Sequence, residues 1–371
     1  MVEYITDGTM LDSIAEEWNV LAARFESPLL CYEWFKAGTG AFASTQSPVV
    51  AVLRTGATID AIAPLANVKV AGLAKMEITG ASFLREPTGL IYKNEESLRR
   101  LLEEVMKLHR PMVFHRLGLD SPESILIQTM SGEHNIVKMA RQSATPWIPI
   151  NSGWEEFERS ISSSRRSSLR RARRKADDLG LVTFDICSPC LPEVGSLLEE
   201  IFAVEAAGWK GREGTAMKVR SSLKTFFTQY TQALAKQGRA RLCFMRLDGR
   251  AIAVLLGVEY ANRFWVLKIG YDERWASCSP GILLMHEVIR WSFGQHHKAF
   301  EFLGSNESWL HMWTDHVHTY ETQWMYPMTP SGLFWLSVDM PNILVAKLVS
   351  TRARLRKRWH GKLFPQLRHA S

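Results

Sequence analysis

Residues Phe264 to Phe293, FWVLKIGYDERWASCSPGILLMHEVIRWSF, constrain the fold more than any other stretch of this chain. The run starts as an apolar strand, crosses a loop of small residues and becomes a helix opening at Gly281. A strand that feeds a helix in this way belongs to a layered α/β structure. A helix start collects unpaired amides and the positive end of the helix dipole, and a pyrophosphate fits there. Ala276, Ser277, Ser279 and Gly281 have little bulk, so a phosphate can reach the backbone. Upstream, Arg241 to Leu247 and Ala251 to Tyr260 flank Asp248-Gly249, a hairpin signal, and Ala261-Asn262 leads into a strand from Arg263 to Tyr271. Ala299 to Leu303 reads as a further strand.

The same kind of order recurs more vaguely in the first half. Apolar spacing predicts helices over Leu11 to Phe25, Tyr32 to Phe42 and Ser97 to Leu108. Strands are predicted over Val49 to Arg54, Ala61 to Val70, Glu77 to Arg85, Val113 to Leu117 and Ile136 to Met139. Further helices are expected over Trp154 to Ile161, Arg165 to Leu179 (closed by Gly180), Leu197 to Ala207, Leu223 to Lys236 and Asn342 to Arg358, and a strand over Leu181 to Ile186. At 371 residues the chain suits two domains better than one. Pro146, Pro149 and Gly153 put the boundary between Trp147 and Trp154. The expected units are residues 1–150, residues 151–330 and a basic helical tail over 331–371.

The net charge of +7 is concentrated in two blocks, seven positive charges in Arg165 to Lys175 and eight in Lys347 to Arg368, so the remainder is net acidic. Such patches meet phosphates, nucleic acid or an anionic membrane surface, or are simply solvated helix faces. Five cysteines at irregular spacing argue against a disulfide framework. Cys187 and Cys190 form a lone C-x-x-C with no second pair to complete a zinc set, and adjacent His296 and His297 point to different faces, so no metal site is expected. The N-terminus MVEYITDGTMLDSIAEEW lacks a basic region followed by an apolar one. The longest apolar candidate, Gly332 to Ser350, is broken by Asp339, Pro341 and Lys347. A cytoplasmic location is therefore expected.

Three runs carry a resemblance: GWKGREGTA from Gly208, KIGYDERWASCSPGILL from Lys268 and EFLGSNESWLHMW from Glu301. Together they resemble the acetyltransferase domain of CelD/BcsL-type proteins of the GNAT superfamily, linked to cellulose and other exopolysaccharide synthesis. SRRSSLRRARRKADDLGLVTFDI, from Ser164, resembles the start of the second half of FemAB-type enzymes. The likeness spans Trp154 to Trp324 and is only general before that. It implies an α/β (α+β) fold of two tandem GNAT-like domains, the first degenerate, each a mixed, mainly antiparallel sheet flanked by helices. It also implies an acyltransferase whose donor is acetyl-CoA or another acyl-CoA, with no metal. The donor's pyrophosphate would be held by Ser277, Ser279, Gly281 and Ile282, with Ile269 on the neighbouring strand. The sequence departs from the usual Q/R-x-x-G-x-G/A loop, and has Trp309-Leu310 where relatives often have Tyr-Lys.

Acyl transfer needs a base for the attacking amine or hydroxyl, a donor for the oxyanion and an acid for the leaving thiolate. Tyr271 is the candidate acid. Glu301 and Glu307 are the first candidate bases, with Asp272 and His311 behind them. Lys268 alternates with Val266 and Phe264 along a strand interior, so it should meet a carboxylate or phosphate; Glu301 is one candidate partner. Trp209, Arg212, Lys268, Trp309 and Trp313 are the candidate acceptor contacts. The expected acceptor is a small molecule or saccharide: a sugar, an amino compound or a polysaccharide precursor. Two other readings stand beside this one. The basic block Arg165 to Lys175 and the tail Arg352 to Arg358 motivate a FemAB-like enzyme drawing on aminoacyl-tRNA. The departures in the donor loop and at Leu310 permit a non-catalytic scaffold of a polysaccharide synthesis complex, with the basic C-terminal helix on an anionic membrane.

Overall fold

A computed structural model describes residues 1–70, 73–133, 136–208 and 220–341. The first half contributes β1 (Val2–Ile5), α1 (Ala15–Ala22), α2 (Tyr32–Ala41), β2 (Gln46–Thr55), β3 (Thr58–Val70), β4 (Leu73–Ile78), α3 (Ala81–Leu84) and β5 (Ile91–Tyr92). It continues with α4 (Glu95–Met106), β6 (Met112–Gly118), α5 (Pro122–Glu133) and β7 (Ile136–Pro149). The second half has α6 (Trp154–Ser160), α7 (Ser163–Asp177), β8 (Val182–Cys187), α8 (Leu191–Ala206) and α9 (Ser221–Lys236). It then runs β9 (Ala240–Leu247), β10 (Arg250–Tyr260), β11 (Arg263–Tyr271), α10 (Pro280–Gly294), β12 (Ala299–Glu301) and β13 (Val317–Pro327).

The strands join in one thirteen-stranded sheet, ordered β1-β2-β3-β4-β6-β13-β7-β12-β11-β10-β9-β8, with β5 on β3. The halves repeat one plan. Antiparallel β2, β3 and β4 lead through α4 to β6, which lies parallel to β4. Antiparallel β9, β10 and β11 lead through α10 to β12, which lies parallel to β11. The expected pair of tandem units is thus present, each a mixed, mainly antiparallel sheet with helices on it.

Two strands join the halves. β7 pairs with β13 over residues 136–146 and with β12 over 147–149, so it passes from one unit to the other along its length. β13 follows the second unit in sequence but lies between β6 and β7 of the first. Beyond it, a helix beginning at residue 330 docks on the first half: Lys75 meets Asp339 at 3.3 Å and sits over the Trp335 ring. Residues 342–371, with the basic block expected at the C-terminus, lie outside the described residues.

One apolar core runs through both halves, joining α1, α2 and α4 to α8, α9 and one face of β9 to β11. Trp34 of α2 meets Phe226 and Tyr230 of α9 edge to face. A second core lies on the other face of the same strands, under α7 and α10.

The sequence reading misplaced several elements. Glu77 to Arg85 is the end of β4 followed by α3, because Gly80 (φ 74°) turns the chain after Ile78. α5 and β13 were not expected at all. Lys268 does not share a face with Val266 and Phe264. Val266 pairs with Gly257 and Lys268 with the next residue, Leu256, so Leu267 is an extra residue in β11. A bulge of this kind turns every later side chain to the opposite face.

Candidate active site

β11 and β12 run side by side only from Arg263 to Trp265; β11 then continues to Tyr271 while β12 stops at Glu301. The two parallel strands diverge and leave a wedge. At its open end lies a cleft of about 530 Å³. One wall is Ile269, Gly270 and Tyr271 of β11; another is the loop and first turn of α10, with Ala276, Ser279, Gly281 and Ile282. Glu205 and Gly208, where α8 ends, and Glu307 with Trp309 complete it.

The head of α10 is open. Ser279 adopts a left-handed conformation (φ 50°) and provides no side-chain cap. Pro280 has no N–H, and the Gly281 N–H has no acceptor among the described residues. The Ile282 and Leu283 amides turn back to the Ser279 carbonyl at 3.1 and 3.2 Å. The corresponding helix of the first half is closed: Asn94 Oδ1 accepts the Ser97 amide of α4 at 2.9 Å, and Ser97 Oγ accepts the Asn94 amide at 3.1 Å. Such a box satisfies the donors that an anion would otherwise use.

Glycines make the cleft compact. A Cβ on Gly270 would come within 2.9 Å of Glu205 Cα, and one on Gly208 within 2.9 Å of the Tyr271 carbonyl oxygen. The backbones of β11 and the end of α8 are therefore in direct contact beside the cleft.

Of the residues expected at the site, Tyr271, Glu307, Ile269, Ser279, Gly281, Ile282 and Trp309 line this one cleft. Glu307 is exposed and accepts a hydrogen bond from Trp309 Nε1 at 2.7 Å, which fixes the two side chains together. Ser277 lies exposed in the short helix over Glu273–Cys278, off the cleft lining. Trp313 is buried in the second core.

Glu301 is placed elsewhere, in a smaller cleft of about 260 Å³ between the halves, with Trp265 and Tyr320. It is buried, accepts from Arg263 Nη1 at 2.6 Å and stands 3.1 Å from His318 Nε2. Lys268 does not pair with Glu301. Its carboxylate is Glu86 of the first half, at 3.9 Å, and its ammonium lies over the Phe227 ring. The bulge at Leu267 is the reason, since it aims Lys268 at the first half.

Asp272 is gripped by the Arg274 fork, at 3.0 Å from Nε and 2.5 Å from Nη2, and this holds its carboxyl below the usual carboxylate range. The His311 carbonyl accepts from Arg165, and its ring faces Asp315 at 3.7 Å. Trp209 and Arg212 lie outside the described residues. Among those described, no group of three or more His, Cys, Asp or Glu is arranged to hold a metal ion. Likewise no described helix is long and apolar enough to cross a membrane.

The sequence reading missed Glu205. Its signal was present: Leu198, Ile201, Phe202 and Glu205 share one face of α8, so the carboxylate occupies a core position and is buried. A buried carboxylate on an apolar stripe is the informative exception to a pattern of apolar core positions.

The sequence profile of the acetyltransferase (GNAT) domain family matches residues 163–310. No curated protein sequence matches the chain. Among solved structures, FemX superposes with a TM-score of 0.59 at 11% identity, covering 91% of this chain and 99% of its own. L-PGS from Bacillus licheniformis gives 0.54 at 12% identity, covering 86% of this chain and 92% of its own. The C-terminal domain (DUF2156) of a putative lysylphosphatidylglycerol synthetase from Agrobacterium fabrum gives 0.53 at 8%, covering 89% and 96%. At such identities the likeness is one of fold, and it extends over both halves. Residues 163–310, which hold β11, the wedge and the open head of α10, match the acetyltransferase (GNAT) domain family, and the chain is an acyltransferase.

Proposed function

We propose that the second half takes an acyl group, acetyl first, from a CoA thioester and passes it to an amine or hydroxyl of a sugar, amino compound or polysaccharide precursor. The observation that carries this reading is the contrast between the two helix heads: α4 is closed by its own capping box and α10 is open onto a cleft. The Gly281 amide and the positive end of α10 would receive the donor's diphosphate, with Ser279 and Ile282 beside it. The first half, its helix head closed, would bind no donor.

In the transfer step the acceptor nucleophile attacks the thioester carbonyl and the carbonyl becomes an oxyanion. Collapse forms the new amide or ester and expels CoA thiolate. Glu307, exposed at the cleft, would take the proton from the nucleophile, and the Tyr271 hydroxyl would protonate the thiolate. The Trp309 ring, tied to Glu307, would form a flat wall for the acceptor. The likeness to CelD/BcsL-type sequences supports a role in exopolysaccharide synthesis.

The test is calorimetric titration with acetyl-CoA, CoA and free pantetheine. Binding of the two CoA species with at least about tenfold preference over pantetheine supports the reading. No binding of any of them overturns it and leaves the aminoacyl-tRNA and scaffold readings.

A second reading, an aminoacyl-tRNA donor, has one observation behind it. Arg170, Arg171, Arg174 and Lys175 face solvent on α7. The other three cations of that block are engaged: Arg165 on His311, Arg166 on α6 and Arg173 on Asp177. RNA that co-purifies and dissociates steeply with salt would favour it.

A further inference from the structure

The first half reaches into the wedge with one carboxylate. Glu86 lies after α3, in the segment that follows β4 as the donor loop follows β11. Its Oε2 accepts the Gly304 amide at 2.9 Å, and its Oε1 lies 3.9 Å from Lys268 Nζ. Gly304 stands just past β12 and Lys268 is on β11, so one side chain holds both diverging strands. Arg116 of β6 holds the same turn from the other side: its Nη2 donates to the Gly304 carbonyl at 2.6 Å. Arg116 Nη1 in turn donates to the Arg85 carbonyl, and its guanidinium lies 5.6 Å from the Tyr320 ring centroid.

Several features fit a clamp better than an incidental surface contact. Glu86 is buried, 6% exposed, where an unpaired carboxylate would be strongly disfavoured. Leu303 and Gly304 both adopt left-handed conformations (φ 54° and 60°). A leucine rarely does so unless its surroundings hold it. The bulge at Leu267 has the effect of aiming Lys268 at Glu86, and without it the ammonium would point to the other core.

We infer that Glu86 is a positioning residue that fixes the separation of β11 and β12, so that the first half sets how tightly the second half grips its acyl donor. The step from the clamp to donor grip rests on the reaction proposed above. The clamp itself does not. On this reading the first unit, whose own helix head is closed, braces the wedge of its twin with the segment that corresponds to the donor loop.

Hydrogen exchange and donor binding together test this, using the full chain with Glu86→Ala, Glu86→Gln and Lys268→Met. Without ligand, Glu86→Ala should speed amide exchange at 266–271 and at 302–306 and leave α4 and β2 unchanged. Glu86→Gln, whose carbonyl still accepts from Gly304, should speed exchange mainly on the β11 side, as should Lys268→Met. The Kd and KM for acetyl-CoA should rise about tenfold in Glu86→Ala and about threefold in Glu86→Gln, with kcat reduced less than about threefold. Should Glu86→Ala fail to fold, the other two variants decide.

Wild-type exchange at both strands in these variants overturns the clamp, whatever the donor does. Altered exchange with unaltered donor affinity overturns its role in donor grip. A wild-type protein that binds no acetyl-CoA refutes the proposed reaction and with it the grip, while the exchange pattern still decides the clamp.

Discussion

Gly281, at the head of α10, lies against the ring of Tyr271, at the end of β11: a Cβ on Gly281 would stand 3.2 Å from Tyr271 Cδ1. The candidate acid and the candidate phosphate amide are therefore packed on each other. An alanine there requires the ring to give by a few tenths of an ångström, and a valine requires more. Gly281→Val should weaken acetyl-CoA binding by about tenfold or more and destabilise the fold by about 1–3 kcal/mol. Calorimetric titration and urea unfolding measure the two effects separately.

Removing the Tyr271 hydroxyl leaves the ring that Gly281 packs on. Tyr271→Phe should therefore keep the KM for the donor within about twofold and lower kcat by about 10- to 100-fold. Glu307→Gln should lower kcat at neutral pH by a similar factor, because the amide cannot take a proton. Steady-state kinetics with a CoA thiol reagent report both, and an unchanged kcat in either variant removes that residue from the chemistry.

Asp272 gives a pH dependence with a definite sign. The Arg274 fork depresses its folded pKa, so its contribution to stability is complete above the ordinary aspartate value of about 3.9 and is lost as pH falls through the lower folded value. Asp272→Asn keeps a cap for the short helix that follows and loses the charge. The gap in Tm between wild type and Asp272→Asn should be widest near neutral pH and should shrink below about pH 4. A gap that widens on acidification would contradict this assignment.

Arg166 belongs to a block that reads as a nucleic-acid patch, yet its Nη1 donates to three carbonyls: Glu158 at 3.3 Å, Arg159 at 2.7 Å and Ile161 at 2.6 Å. It closes the last turn of α6, whose carbonyls have no helical partners. Arg166→Ala should cost about 1–3 kcal/mol in urea unfolding and leave donor affinity unaltered. Arg166→Lys should restore only part of this, since an ammonium lacks the planar fork.

The strands of the second unit were legible because their signals are local. Asp248 (φ 48°) and Gly249 (φ 79°) take the turn that the pair Asp-Gly favours, and β11 runs over Arg263–Tyr271 as its alternation implies. The loop of small residues likewise announced the open head of α10. What could not be read depends on distant partners. The bulge at Leu267 leaves no mark in the alternation of β11, so Lys268 was assigned to the wrong face. Glu86 sits in a polar turn with no periodicity, and its meaning comes from Gly304 and Lys268 about two hundred residues away. β13 begins with an exposed Val317 and a half-buried His318 and becomes buried only from Thr322, so its first half shows no clear apolar alternation. Glu301 is a candidate base on the sequence, while the register of β12 sets it opposite Trp265 and its carboxylate meets Arg263 and His318.

The position of β13 has a consequence for how the protein is made. β6 and β7 each pair with β13, a strand that leaves the ribosome only after the whole matched domain. Until then the nascent first half carries two long edges with open hydrogen-bonding groups, the kind of surface on which strands from other chains pair wrongly. Translation of the last strand both seals that gap and ties the finished catalytic unit to its neighbour. An early stop between residues 310 and 316 would thus spare every residue of the matched domain and still leave a chain destined for aggregation or proteolysis.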